Sequence, residues 1–88
     1  MSKRYESELL ELFCNIDDKI TMSEVFSNMF TPQEREELAI RLQIFNELMD
    51  NKNQRYIARK LGVSIATVTR GSRELKYGKP GIRKVIDK

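Results

Sequence analysis

Apolar residues in this 88-residue chain recur at spacings of three and four, and no stretch keeps up a period-two alternation for long. That pattern belongs to amphipathic helices and predicts an all-α fold of five or six of them. A stripe of Tyr5, Leu9, Leu12, Phe13 and Ile16 predicts a first helix from about Tyr5 to Ile16, interrupted by Asp17 and Asp18. Thr21, with Glu24 three residues on, has the form of a capping box. It predicts that a short second helix opens there, with Met22, Val25, Phe26 and Met29 on one face. The clearest start signal is "TPQE": Thr31 as N-cap, Pro32 at the first helical position, Glu34 reaching back to the cap. The helix it opens is predicted to run to about Asp50. Leu38, Leu42, Phe45, Leu48 and Met49 form its stripe, and Ile40 and Ile44 widen it. A helix apolar over so much of its circumference is contacted on two sides. In so short a chain the second contact is expected from another subunit.

After this long helix, "DNKN" supplies a break, with Asn51 suited to a left-handed C-terminal cap. A fourth helix is predicted over about Gln54 to Leu61. Gly62-Val63-Ser64 then turns the chain, and a fifth helix begins near Ile65 with Ser64 as N-cap. "KYGKPG" reads as a loop, and Ile82, Val85 and Ile86 suggest a short last helix within 80–88. The organisation expected is one domain over 1–88. Its parts are N-terminal helices to residue 50, a helix-turn-helix over 54–76 and the short C-terminal helix.

The segment "QRYIARKLGVSIATVTRGSR", residues 54 to 73, has helix-turn-helix spacing. Ala58 is small where a second helix must cross closely. Gly62, four residues later, takes the turn position that needs positive φ. Val63 and Val68 point into the angle between the helices, above Ile57 and Leu61.

Charge sharpens this picture. Residues 1–51 carry five Lys or Arg against eleven acids, a net of −6, whereas residues 52–88 carry eleven against two, a net of +9. A basic half attached to an acidic one points to a polyanion, most simply nucleic acid; a solvated basic face, or a docking surface for an acidic protein, is the alternative. Ile65, Ala66 and Thr69 stand near the N-terminal end of the second motif helix, the end that meets base edges in such motifs. Small side chains there allow close approach, and the methyls of Ala66 and Thr69 suit thymine methyls. Ser64 opens the same helix. Gln54 and Arg55 at the start of the first motif helix are placed for phosphate or base contact. Arg59, Lys60, Arg73 and Lys76 supply phosphate contacts. The expected partner is a double-stranded DNA operator.

Other chemistries find little support. With no His and a single Cys, an ordinary zinc site is not expected. Glu74 and Asp87 are the only acids in the basic half, too few for a two-metal nuclease. No enzyme is expected. The lone Cys14 excludes an intramolecular disulfide and reads as a half-buried thiol in a reducing cytoplasm. No apolar run approaches membrane-span length, and "MSKRYESELL" lacks the apolar core of a secretion signal.

"TPQEREELAIRLQIFNEL" followed by "QRYIARKLGVSIATVTRGSRELK" resembles the tryptophan repressor family, over about residues 28 to 77. The resemblance implies an intertwined homodimer whose N-terminal helices share a core, with each half presenting one reading head to half of a palindromic operator. It also implies an amino-acid corepressor, L-tryptophan in the family, lying between the long central helix and the recognition helix. Arg41 and Arg70 match the two arginines that hold the indole between their guanidinium planes, and Arg70 also matches the one that binds the carboxylate. Planar guanidinium groups suit both tasks. Thr67 and Gly71 match pocket-lining positions, with Gly71 leaving room for a flat ring against the backbone. A carbonyl near Phe30 and Thr31 receives the ligand's amino group. Two positions depart from the family pattern: Asn28 stands where an apolar residue meets the indole, and Glu74 where a serine helps to bind the amino group. Tyr77-Gly78 is similar to a related branch of trp-repressor-like proteins. The alternative expectation is therefore a DNA-binding regulator of this kind with a different ligand or none.

Overall fold

Helix boundaries in this chain follow its capping groups. A computed structural model describes residues 3–87, so residues 1, 2 and 88, at the ends of the predicted segments 1–50 and 80–88, lie outside the described residues. The fold is all-α, with six helices and no strand among the described residues: α1 Lys3–Cys14, α2 Lys19–Met29, α3 Pro32–Met49, α4 Gln54–Leu61, α5 Ile65–Tyr77 and α6 Gly81–Ile86.

Four expectations need correction. The second helix does not open at Thr21. Asp18 is its N-cap, in extended conformation, and the Thr21 backbone N–H donates to Asp18 Oδ2 at 2.8 Å. An ionised carboxylate at a helix N-terminus satisfies an orphan N–H and meets the positive end of the helix dipole, which a threonine hydroxyl does less well. The same hydrogen bonds hold the Asp18 carboxyl below its usual range. Ile16 falls outside the first helix, which ends at Cys14. Lys76 and Tyr77 belong to α5 and Gly81 opens α6, so the predicted loop shrinks to Gly78–Pro80. Cys14 is exposed rather than half-buried.

The other start and stop signals act as read. Thr31 and Glu34 form a reciprocal capping box, with Thr31 N–H donating to Glu34 Oε1 at 2.9 Å and Glu34 N–H to Thr31 Oγ1 at 3.2 Å. Asn51 takes φ 62°. Its N–H donates to the Leu48 carbonyl at 3.0 Å, and the Lys52 N–H donates to Glu47 at 3.1 Å, the two bonds of a Schellman ending. Asn53 caps α4 through the Tyr56 N–H at 2.8 Å.

The chain divides into two compact units, one reaching Arg35 and the other starting at Glu36. In the first, no described residue is buried. Tyr5, Leu10 and Ile20 are 62%, 57% and 77% exposed. Phe26 and Phe30 stack at 4.9 Å between ring centres, and Arg35 Nη1 donates to Ser27 Oγ at 2.6 Å.

The second unit contains the buried core. Ile44 of α3, Ile57 and Ala58 of α4 and Val68 of α5 pack together, with Ile40, Leu48, Leu61 and Val63 around them. Ile57 and Val68 are fully buried. Gly62 takes φ 67° and ψ 36°, the left-handed conformation the turn requires, and Val63 N–H returns to the Ala58 carbonyl at 3.0 Å. Ser64 caps α5 by accepting the Thr67 N–H at 3.1 Å. The helix-turn-helix thus docks on the C-terminal part of α3 through one apolar cluster.

Candidate nucleic-acid interface and ligand cleft

The face of α5 turned away from this core carries the side chains proposed to meet DNA. Ile65, Ala66, Arg73 and Lys76 are exposed, as are Arg55 and Arg59 on α4. A shallow open groove along α5 is lined by Ile65, Ala66, Thr69, Arg70, Arg73, Glu74, Tyr77 and Gly78. Tyr77, 83% exposed, lies one turn beyond Arg73 and was singled out from the sequence only in the Tyr77-Gly78 pair, not for contact with DNA. Its signal there was only spacing along a helix that runs further than the "YG" pair suggests.

Four of the predicted DNA residues, Gln54, Lys60, Ser64 and Thr69, have internal partners. Thr69 is half-buried, and its hydroxyl donates to Gln54 Oε1 at 2.6 Å, joining the middle of α5 to the start of α4. The Ser64 hydroxyl serves the cap and lies 2.9 Å from the Thr67 hydroxyl. Lys60 Nζ is bonded to Glu47 Oε1 of α3 at 2.7 Å and stands 5.8 Å from the centre of the Tyr56 ring. The Glu47 carboxylate raises the Lys60 ammonium above its ordinary range. The sequence could not show that an acid from the long helix reaches Lys60.

Between α3 and α5, within the second unit, lies a deeper cleft of about 700 Å³. It brings together five of the residues expected to hold a ligand: Arg41 from α3, and Thr67, Arg70, Gly71 and Glu74 from α5. Ile40, Ile44, Phe45 and Val63 give it an apolar floor, and Glu37, one turn before Arg41, adds a second carboxylate. The volume falls in the range of small-molecule sites, whose walls are mainly apolar with a few polar groups to orient the ligand. Arg70 and Glu74 line both this cleft and the outer groove. The other three expected ligand residues are described with the first unit: Asn28 is exposed on α2, Phe30 is its half-buried C-cap, and Thr31 caps α3.

Gly71 lines the cleft, but the missing side chain has another neighbour. A Cβ there would lie 2.9 Å from Ile44 Cγ2, 3.6 Å from Leu48 Cδ1 and 3.9 Å from Phe45 Cε1. The glycine therefore has a packing reason that the sequence did not show: it lets α5 approach α3 closely.

A helix-turn-helix with an exposed basic face, docked on a long helix, is the architecture of the transcription-regulator class. The family described as Trp repressor protein matches residues 5–88, and the chain belongs to it. This is a family of transcriptional regulators, not of enzymes. Among similar proteins, a Trp operon repressor homolog of Aliivibrio fischeri is 41% identical over 71 residues, covering 80% of this chain and 66% of that relative. One from Vibrio parahaemolyticus is 43% identical over 70 residues, 78% of this chain and 68% of the relative. One from Xylella fastidiosa is 38% identical over 78 residues, 86% and 85% respectively. The chain thus spans just under two thirds of the Aliivibrio relative's length, 66%. Among the described residues no helix is long and apolar enough to cross a membrane, and no group of three or more His, Cys, Asp or Glu could hold a metal ion.

Proposed function

We propose that this protein is a DNA-binding transcriptional repressor that binds a palindromic operator as a homodimer and is gated by an amino-acid corepressor, L-tryptophan. The observation that carries this reading is the cleft between α3 and α5, which sets Arg41 and Arg70 on its two helices above an apolar floor. A flat aromatic ring between two guanidinium planes gains stacking and cation–π attraction, and a guanidinium at its edge bonds a carboxylate in a fork. Because Arg70 also lines the outer groove of α5, a ligand that orders it acts on the face turned to DNA. Exposed Arg55, Arg59, Arg73 and Lys76 supply the phosphate contacts.

The homodimer reading rests on uncovered apolar surface. The first unit has no buried described residue, and Leu42 on α3 is 42% exposed. Each such side chain gains about 1.5–3 kcal/mol when fully buried, so helices with this much apolar surface are stable only against further surface of the same kind. A second copy supplies it, and also the two-fold symmetry that a palindrome matches.

Glu74 favours a second reading. Together with Glu37 it places two carboxylates in the cleft that holds the arginines. They suit a ligand ammonium but oppose a ligand carboxylate, which leaves a corepressor other than L-tryptophan, or none, as the alternative. The chain has no tryptophan of its own, so titration can follow the indole fluorescence of the ligand directly. Saturable binding of one L-tryptophan per chain, together with ligand-dependent retention of a palindromic duplex at physiological salt, is the expected outcome. Binding of duplex that ignores L-tryptophan moves the protein to the second reading, and no preference for any duplex refutes both.

A further inference from the structure

Among the described residues, Glu74 is the one acid that lines both the outer groove of α5 and the cleft behind it. Its carboxylate makes no ion pair or side-chain hydrogen bond among those residues, although Arg70 and Arg73 line the same groove. Gly78 shows where the carboxylate lies. A Cβ built on that glycine would overlap Glu74 Oε2 and stand 2.5 Å from the Glu74 carboxyl carbon. Gly78 borders the groove and not the cleft, so the Glu74 side chain is turned outward.

That outward position is weakly held. It lies near the C-terminal end of α5, where the negative end of the helix dipole opposes a carboxylate. Glu74 is exposed, and rotation about its side-chain bonds carries the carboxylate to the cleft side without moving the backbone. In the groove the carboxylate offsets the positive charge of Arg70 and Arg73 and repels phosphate. In the cleft it faces whatever cation a ligand brings. We propose that Glu74 is a movable charge that couples the two sides: a ligand ammonium draws it into the cleft, and its negative charge leaves the face turned to DNA. This rests on the ligand-gated DNA-binding reading above and names the residue that carries the coupling.

The test measures affinity for a palindromic duplex that the full-length wild type enriches from a randomised library with and without ligand. Wild type, Glu74→Gln and Glu74→Ala, each shown by circular dichroism to keep its helix content, are compared over a range of salt. The ligand probes are saturating L-tryptophan and tryptamine, which share the ring and the ammonium. Without ligand, both variants are expected to bind about tenfold more tightly than wild type at low salt, an advantage that shrinks as salt rises. Ligand is expected to strengthen wild-type binding and to strengthen the variants about tenfold less. The proposal is overturned if the variants bind no more tightly than wild type without ligand, or if their gain is the same at every salt concentration. It is also overturned if neither probe changes wild-type affinity, or if both strengthen the variants as much as wild type. A wild type that enriches no sequence in any condition removes the DNA-binding reading itself, an outcome distinct from all of these.

Discussion

Gly71→Ala separates two reasons for a glycine inside the recognition helix. On helix propensity alone the substitution stabilises, since glycine costs about 1 kcal/mol relative to alanine in a helix interior. The new methyl, however, would lie 2.9 Å from Ile44 Cγ2. That atom sits on the β-carbon of a β-branched residue in α3, held largely to one rotamer, so it cannot swing aside as a long flexible chain would. Ile44 is also among the most buried side chains of the unit. Relief must come from moving α5 away from α3, and overpacking of this kind costs about 1–3 kcal/mol. The net expectation is a loss of about 1 kcal/mol, or roughly 4–8 °C in Tm for a chain of this size. The assay is thermal and urea unfolding without ligand at fixed protein concentration, because dimer stability depends on concentration. Ile44→Leu removes the offending branch. The double variant Ile44→Leu/Gly71→Ala should therefore lose less than the two single variants together, with a coupling of about 1 kcal/mol. A Gly71→Ala protein more stable than wild type by the full propensity gain would refute the packing argument and leave room for a ligand as the reason for the glycine.

Other outcomes test neighbouring claims. At Gly62 an added Cβ meets nothing within 4 Å, so Gly62→Ala should destabilise through backbone strain alone, by about 1–2 kcal/mol, and Gly62→Asn by less; equal melting of Ala and wild type would contradict this. The Asp18 carboxyl is held below its unfolded value of about 3.9, so its stabilisation is present above that pH and lost as pH falls through the lowered folded value. Asp18→Asn, which keeps a capping oxygen, should accordingly lose less stability than wild type below about pH 4 in urea titrations; matching pH profiles would exclude the assignment. Arg70→Ala should weaken L-tryptophan and duplex binding each by about ten- to a hundredfold, the scale of one hydrogen bond to a charged group, and unchanged ligand affinity would remove Arg70 from the cleft's function.

Much of this protein was legible in its residues because the signals concerned are local. A capping box at Thr31 and Glu34, the left-handed Asn51 and Gly62, the Ser64 cap and the apolar stripes each act within a turn or two of the chain, and the helices form where those residues place them. The spacing of Ala58, Gly62, Val63 and Val68 likewise specified the helix-turn-helix, since it encodes a crossing between adjacent helices. Local signals also misled: Thr21 and Glu24 matched a capping pattern, but the stronger acceptor, Asp18, stood three residues earlier. Tertiary structure decided what depends on residues far apart in sequence. Only the packing of α4 and α5 on α3 shows that Gly71 meets Ile44, that Lys60 is held by Glu47 and that Arg41 shares a cleft with Arg70. Only the crossing of α4 and α5 joins Thr69 to Gln54. Periodicity says which face of a helix is apolar or charged, but the partner of that face is set by the three-dimensional path of the chain, and there a site's charges are matched or left free.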